Sequence, residues 1–243
     1  MSKQINMRIA IFFVLVFSNI YSQTVEIKYD FILLDEKDDY GDVRAENLTL
    51  ITSQSKSILN RTAKDTVFES NLYGIYESGV GKSNSYKLTE FKDLKNKKYY
   101  FLGAYSNKII ADDEYPINWE IHAEQKKILA YQCQKATGKF RGRDYVVFFT
   151  SELPIQNGPF KFDGLPGLIL EVISVDNAVK IIAKSVKKNE NDSLENPFQL
   201  KEVISWTDFK KNYRKYFDSV KNYKSDNESE MFIPNRGIEF YLE

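Results

Sequence analysis

The stretch Val25-Glu26-Ile27-Lys28-Tyr29-Asp30-Phe31 decides how the rest of the chain is read. Apolar Val25, Ile27, Tyr29 and Phe31 alternate with charged Glu26, Lys28 and Asp30. A period of two sends the first set to one face of a strand and the second to the other, so one face is dry and one wet.

Upstream of this strand lies a different kind of segment. Lys3 and Arg8 precede an unbroken apolar run from Ile9 to Phe17, and Ser18-Asn19-Ile20-Tyr21-Ser22 then turns polar. Charge, apolar run and small residue in that order read as a secretory signal peptide over residues 1–22, cut between Ser22 and Gln23. The run is too short for a membrane span and no later stretch is longer, so no transmembrane span is expected in the mature chain. The expected location is outside the cytoplasm: periplasm, cell surface or medium.

Downstream, the acidic run Asp35–Asp42 reads as a loop, and alternating or apolar segments recur. They fall at residues 48–59, 86–88, 99–102, 108–110, 117–124, 127–137, 143–150, 165–175 and 179–186. The pair 117–124 and 127–137 suggests a hairpin turning at Gln125-Lys126. Short connections and one-face-wet patterning predict a mainly β (α+β) fold, a curved antiparallel sheet or half-barrel. One convincing helix comes late, at about 206–221. Ser205 can cap it with Asp208 three positions on, and Trp206, Phe209, Tyr213, Tyr216, Phe217 and Val220 share a face. That face is expected to cover the dry side of the sheet. The organisation read from this is a signal peptide at 1–22, a β domain at 23–190 and a C-terminal extension at 191–243, loose and polar over Ser225–Glu230.

Composition narrows the function classes. Lys and Arg match Asp and Glu at 34 each, so no basic excess exists to drive nucleic-acid binding. With 16 Tyr and 17 Phe, the chain has the aromatic content of sheet rather than disorder. The one cysteine, Cys133, cannot form an internal disulfide. It reads first as a small buried side chain, with a reactive thiol or an intermolecular bridge as the alternatives.

The richest stretch is Asn157–Leu170, NGPFKFDGLPGLIL. Pro159 and Pro166 restrict φ, while Gly158, Gly164 and Gly167 allow positive φ. Leu165-Pro166-Gly167-Leu168 has type II turn chemistry and leads into an apolar strand. No helix follows the glycines, so a phosphate-binding loop is not expected. The stretch reads as a rigid lead-in to a core strand, or as a ligand or partner contact. Arg141-Gly142-Arg143 could grip an anion, or solvate a turn beside Asp144 and Glu152. Asp112-Asp113-Glu114 reads as a solvated turn. In the expected hairpin register the sole histidine, His122, lies about four residues or ~13 Å from Cys133, too far to share a metal. No metal or other cofactor is expected, and no nucleophile–base set is recognisable.

From Ile117 to Val186 the chain resembles the GLPGLI family, whose hexapeptide stands here as Gly164-Leu165-Pro166-Gly167-Leu168-Ile169. Trp119-Glu120, Tyr131–Ala136 with Cys133, Phe140-Arg141-Gly142-Arg143, Glu152-Leu153-Pro154 and Gly158–Phe162 match in order and spacing. Ala130 stands where the family has Gly, and Val147-Phe148 where a Trp-Tyr-like pair is usual. The resemblance implies an exported protein of Gram-negative bacteria with TonB-dependent import, of undefined activity. It also implies a fold similar to periplasmic lipoprotein-carrier half-barrels. Three functional readings follow: a non-catalytic binding module for an apolar ligand, peptide or envelope protein; an enzyme whose site, around Arg141, Arg143, His122 and Glu152, forms only in three dimensions; or a structural part of an envelope complex. The first is favoured.

Overall fold

The computed structural model describes residues 23–34, 43–63, 68–69, 76–77, 87–103, 108–190, 194–221 and 237–242. The signal peptide at 1–22, with Ser22 of the cleavage step, lies outside these residues, as do the acidic loop and Ser225–Glu230.

Fourteen strands and one helix occupy the described residues: β1 (Gln23–Leu34), β2 (Val43–Thr52), β3 (Lys56–Ala63), β4 (Phe68–Glu69), β5 (Tyr76–Glu77), β6 (Lys87–Asp93), β7 (Lys98–Leu102), β8 (Ile109–Asp112), β9 (Glu120–Ile128), β10 (Tyr131–Phe140), β11 (Arg143–Thr150), β12 (Leu168–Ser174), β13 (Val179–Glu190), β14 (Val203–Ser205) and α1 (Trp206–Lys221). Strands β9 to β13 form one antiparallel meander; β1, β2, β3, β6, β7 and β8 form another. The meanders join where β1 lies antiparallel to β13, giving a twelve-stranded sheet that does not close. Its ends are β9 and β14, the latter added parallel to β8. The sheet is mainly β with one late helix, as the patterning predicts.

The opening strand behaves as its alternation requires. Val25, Ile27, Tyr29 and Phe31 are buried, while Lys28 is exposed and Glu26 and Asp30 are half-buried. On the dry side lies the segment joining β11 to β12, which buries Leu153, Ile155, Phe160, Phe162 and Leu165. Phe160 meets Phe31 edge-on at 5.2 Å, and Phe162 meets Tyr145 at 4.8 Å. The Tyr29 hydroxyl donates to Ile169 O at 2.8 Å, tying β1 to β12 through the interior.

Helix α1 starts where the capping signal puts it. The Asp208 N–H donates to Ser205 Oγ at 3.1 Å, and Ser205 Oγ donates to the Asp208 carboxylate at 2.7 Å. Trp206, Phe209 and Tyr213 are buried in the same core cluster as the sheet residues. They pack on Phe101 of β7 and on Tyr241 of the C-terminal segment.

Three expectations are corrected. The β9–β10 hairpin turns at Leu129-Ala130, not at Gln125-Lys126, and Ile128 pairs with Tyr131. Leu129 takes the positive φ of 54° and Ala130 does not, so the missing glycine at 130 costs nothing. The expected dry face of the first hairpin strand is also open: Ile121 is 46% exposed and Ala123 is exposed, because β9 is an end strand beyond the packed segment. Finally, Asp112 is fully buried rather than solvated, although Asp113 and Glu114 are exposed as expected.

Candidate functional site

The segment 151–167 is held by contacts that explain its glycines. A Cβ on Gly167 would lie 2.1 Å from Thr150 O, so β11 and the start of β12 can approach only over a bare Cα. The expected type II turn is absent: Gly167 has no positive φ, and the positive value, 88°, belongs to Gly164. A Cβ on Gly158 would lie 2.8 Å from the Ile169 Cβ. Pro159 O accepts from Phe162 N at 3.2 Å, and Trp119 Nε1 donates to Asp163 O at 2.7 Å. Leu165 is buried, whereas Gly164 and Pro166 are exposed.

Beneath this segment runs a buried polar chain. Lys92 is 2% exposed, and its Nζ donates to Asn157 Oδ1 at 2.8 Å and lies 3.6 Å from Asp163 Oδ2. The Asn157 amide donates in turn to Thr52 Oγ1 at 2.9 Å. Desolvation pushes the Lys92 ammonium down to about 8, even against the pull of Asp163. Nearby, Arg61 bridges Glu46 and Glu90, each at 2.7 Å, and the Tyr99 hydroxyl donates to Glu90. Burial raises the Tyr99 hydroxyl well above its ordinary value, with Glu90 adding to the effect.

A second ionic cluster ties the C-terminal segment down. Asp112 binds Lys161 at 2.7 Å and Arg141 at 2.8 Å, and both cations also bind Glu239. Burial alone would raise the Asp112 carboxyl, but Lys161 and Arg141 outweigh it and hold it below its ordinary value. The Trp206 ring lies under both cations, its centroid 3.9 Å from the Arg141 guanidinium carbon and 4.6 Å from Lys161 Nζ. Arg141 and Gly142 form the two-residue β10–β11 turn, both with positive φ. The acids expected beside the arginines, Asp144 and Glu152, are not their partners. Arg141 takes Asp112 and Glu239, and Arg143 pairs with Asp176 at 2.9 Å.

At the β9 end a small cleft of about 110 Å³ is lined by Gln125, Gln132, Cys133, Gln134, Phe149, Ser151 and Glu152. Glu152 accepts the Gln132 N–H at 2.8 Å. Desolvation pushes the Cys133 thiol up to about 11, which leaves little thiolate at neutral pH. Cys133 sits opposite Lys126, so the register differs from expectation, yet His122 still lies four positions along β9 from that point. His122 Nε2 is instead 2.7 Å from Thr137 Oγ1. Arg141, Arg143, His122 and Glu152 therefore serve four different sets of partners and do not converge. Among the described residues no group of three or more His, Cys, Asp or Glu is placed to hold a metal ion.

The buried charges were missed in the sequence, although strand parity carried a signal. Glu46 shares parity with buried Leu48 and Leu50, and Arg61 shares it with Leu59. Neighbouring strands thus send opposite charges into the same interior.

A structure of PNGF-II in space group C2 aligns with a TM-score of 0.48 and 21% identity, over 75% of this chain and 31% of that one. A second PNGF-II structure, in space group P21, gives 0.48 and 19%, over 77% and 33%. An outer membrane lipoprotein-sorting protein domain from Vibrio parahaemolyticus gives only 0.27 and 8%, over 80% and 92%. With TM-scores this low, none of these likenesses bears on function, and the chain spans about a third of the length of the PNGF-II chains it matches. No curated protein matches the chain. Residues 42–209, well over half of the sequence, match the model of the family described as N-glycanase peptide, N-terminal domain, and the chain belongs to that family.

Proposed function

We propose that the chain is a non-catalytic binding module of an exported protein and that its partner is an extended polypeptide segment laid along β9. The observation that carries this reading is the filled interior. The dry face, where the sequence leads one to expect an apolar ligand, peptide or envelope protein, holds the chain's own Phe160, Phe162 and Leu165. The cleft beside Cys133, at about 110 Å³, is below the ~300 Å³ at which small-molecule sites begin. The end strand β9, by contrast, pairs with β10 on one side and with no other described strand. A nine-residue edge of this kind can accept an added strand through its main chain. Glu120, Glu124, Lys126 and Lys127 guard it against indiscriminate pairing, which suits a selective partner.

The family supports a module that works beside another unit, since its description is that of the N-terminal domain of an N-glycanase. Export rests on the leader at 1–22, and the GLPGLI resemblance belongs to the same proposal. So do the half-barrel curvature and the division at residue 190.

The test is site-specific photo-crosslinking in an exporting host, with the reactive side chain at exposed Ile121 or, as a control, at exposed Lys211 on α1. Adducts to a discrete set of polypeptides from position 121 alone are expected. Adducts from neither position, or equally from both, overturn the proposal.

A further inference from the structure

Lys92 is a primary amine sealed in the core with a carboxamide and a carboxyl. Lys92, Asn157 and Asp163 are 2%, 0% and 5% exposed. Nζ lies 2.8 Å from Asn157 Oδ1, so the amide carbon Cγ is one bond beyond the atom it touches. Its other polar neighbours are Gly158 O and Phe162 O, both at 3.5 Å, and Asp163 Oδ2 at 3.6 Å. Asp163 Oδ2 is buried without a hydrogen bond of good geometry. Around the group stand aromatic walls, with the Tyr99 ring 5.9 Å from Nζ. Amine, amide and proton carrier are thus held together without solvent, the arrangement in which a normally sluggish amide exchange gains most from proximity.

We propose that the chain joins Lys92 to Asn157 through an isopeptide bond that it forms itself, with Asp163 carrying the proton. Asp163 takes a proton from the Lys92 ammonium, and the freed Nζ lone pair attacks Asn157 Cγ. The new Nζ–Cγ bond forms as the Cγ–Nδ2 bond breaks. Asp163 returns its proton to the departing nitrogen, which leaves as ammonia and takes up the second proton shed by Nζ. No oxidant or co-reactant is needed, and Asp163 ends as it began. The lowered basicity of the buried Lys92 eases the proton loss to Asp163 with which the step begins. The product ties β6 to the motif-bearing segment across 65 residues, in a chain whose single cysteine allows no internal disulfide.

The decisive readout is a tryptic map of the wild-type protein under denaturing conditions. Linkage blocks cleavage after Lys92, so Leu88–Lys95 is expected joined to Asp144–Lys161, lighter than their sum by ammonia, ~17 Da. Intact mass alone does not suffice, because an N-terminal Gln23 also sheds ammonia on cyclising. The Lys92→Met and Asn157→Ala variants should lack the joined peptide, and Asp163→Asn should yield little of it. Wild-type protein giving free Leu88–Lys92 and unlinked Asp144–Lys161 as the bulk species overturns the proposal, whether or not any variant folds.

Discussion

Gly167 and Asp112 show how single residues hold this fold. With Thr150 O only 2.1 Å from the place a Cβ would take, Gly167→Ala forces two backbone segments apart. A loss of about 1–3 kcal/mol or more is expected, read as a lower denaturant midpoint. The turn chemistry of Leu165-Pro166-Gly167 marked this glycine in the sequence but gave the wrong reason, since close approach rather than φ demands it. Asp112 carries a pH dependence. Its folded carboxyl sits below the ordinary value of about 3.9 that the unfolded chain shows, so its contribution is complete above that value. As pH falls through the folded pKa, the contribution is lost. The advantage of wild type over Asp112→Asn should therefore hold from about pH 7 to about pH 5 and shrink below about pH 4, measured by chemical denaturation at each pH. The sequence hid Asp112 within an acidic triplet; its burial comes from Lys161 and Arg141, far away along the chain.

At the scale of elements, local signals were legible where local physics decides. The cap Ser205-Asp208 and the aromatic stripe Trp206, Phe209, Tyr213 specify α1, whose observed span is the one the sequence predicts. Ser205→Ala removes a side chain that accepts the Asp208 N–H and donates to its carboxylate. It should cost about 1 kcal/mol, visible as a lower melting temperature by far-ultraviolet circular dichroism. An unchanged melting temperature would show that tertiary packing alone holds the helix start. The β9–β10 turn was illegible for the opposite reason. Leu129-Ala130 carries none of the residues that mark a hairpin, so the turn is imposed by pairing further along, such as Ala136 with Ile121. A polar pair at Gln125-Lys126 offered a false alternative within the strand. Likewise the outward face of β9 could not be inferred from its alternation, because burial there depends on how far the β11–β12 segment reaches.

Across the whole molecule, the two meanders depend on one seam. β1 comes first in the described chain and pairs with β13 from Gln23↔Glu190 to Leu33↔Val179, so the two meanders join only when distant segments meet. No local pattern announces that pairing, and the sequence reading placed both strands without joining them. The seam is backed by one continuous core that takes in β1, β12, β13 and the buried face of α1. Loss of either support should therefore propagate. Phe31 packs against Phe160, and Phe209 packs against Trp206 and Tyr241, through separate contacts within that core. Phe31→Ala and Phe209→Ala should each cost about 3–5 kcal/mol. Both should lower one shared transition rather than create a second. Two probes distinguish these outcomes in a Trp119→Phe background, where Trp206 fluorescence reports on the helix and circular dichroism on the sheet. Coincident curves in both variants are expected. If Phe209→Ala releases the fluorescence transition ahead of the sheet, α1 and the C-terminal segment form a separately melting cover, and the ionic cluster of Asp112, Arg141, Lys161 and Glu239 is a clasp between two units rather than part of one core.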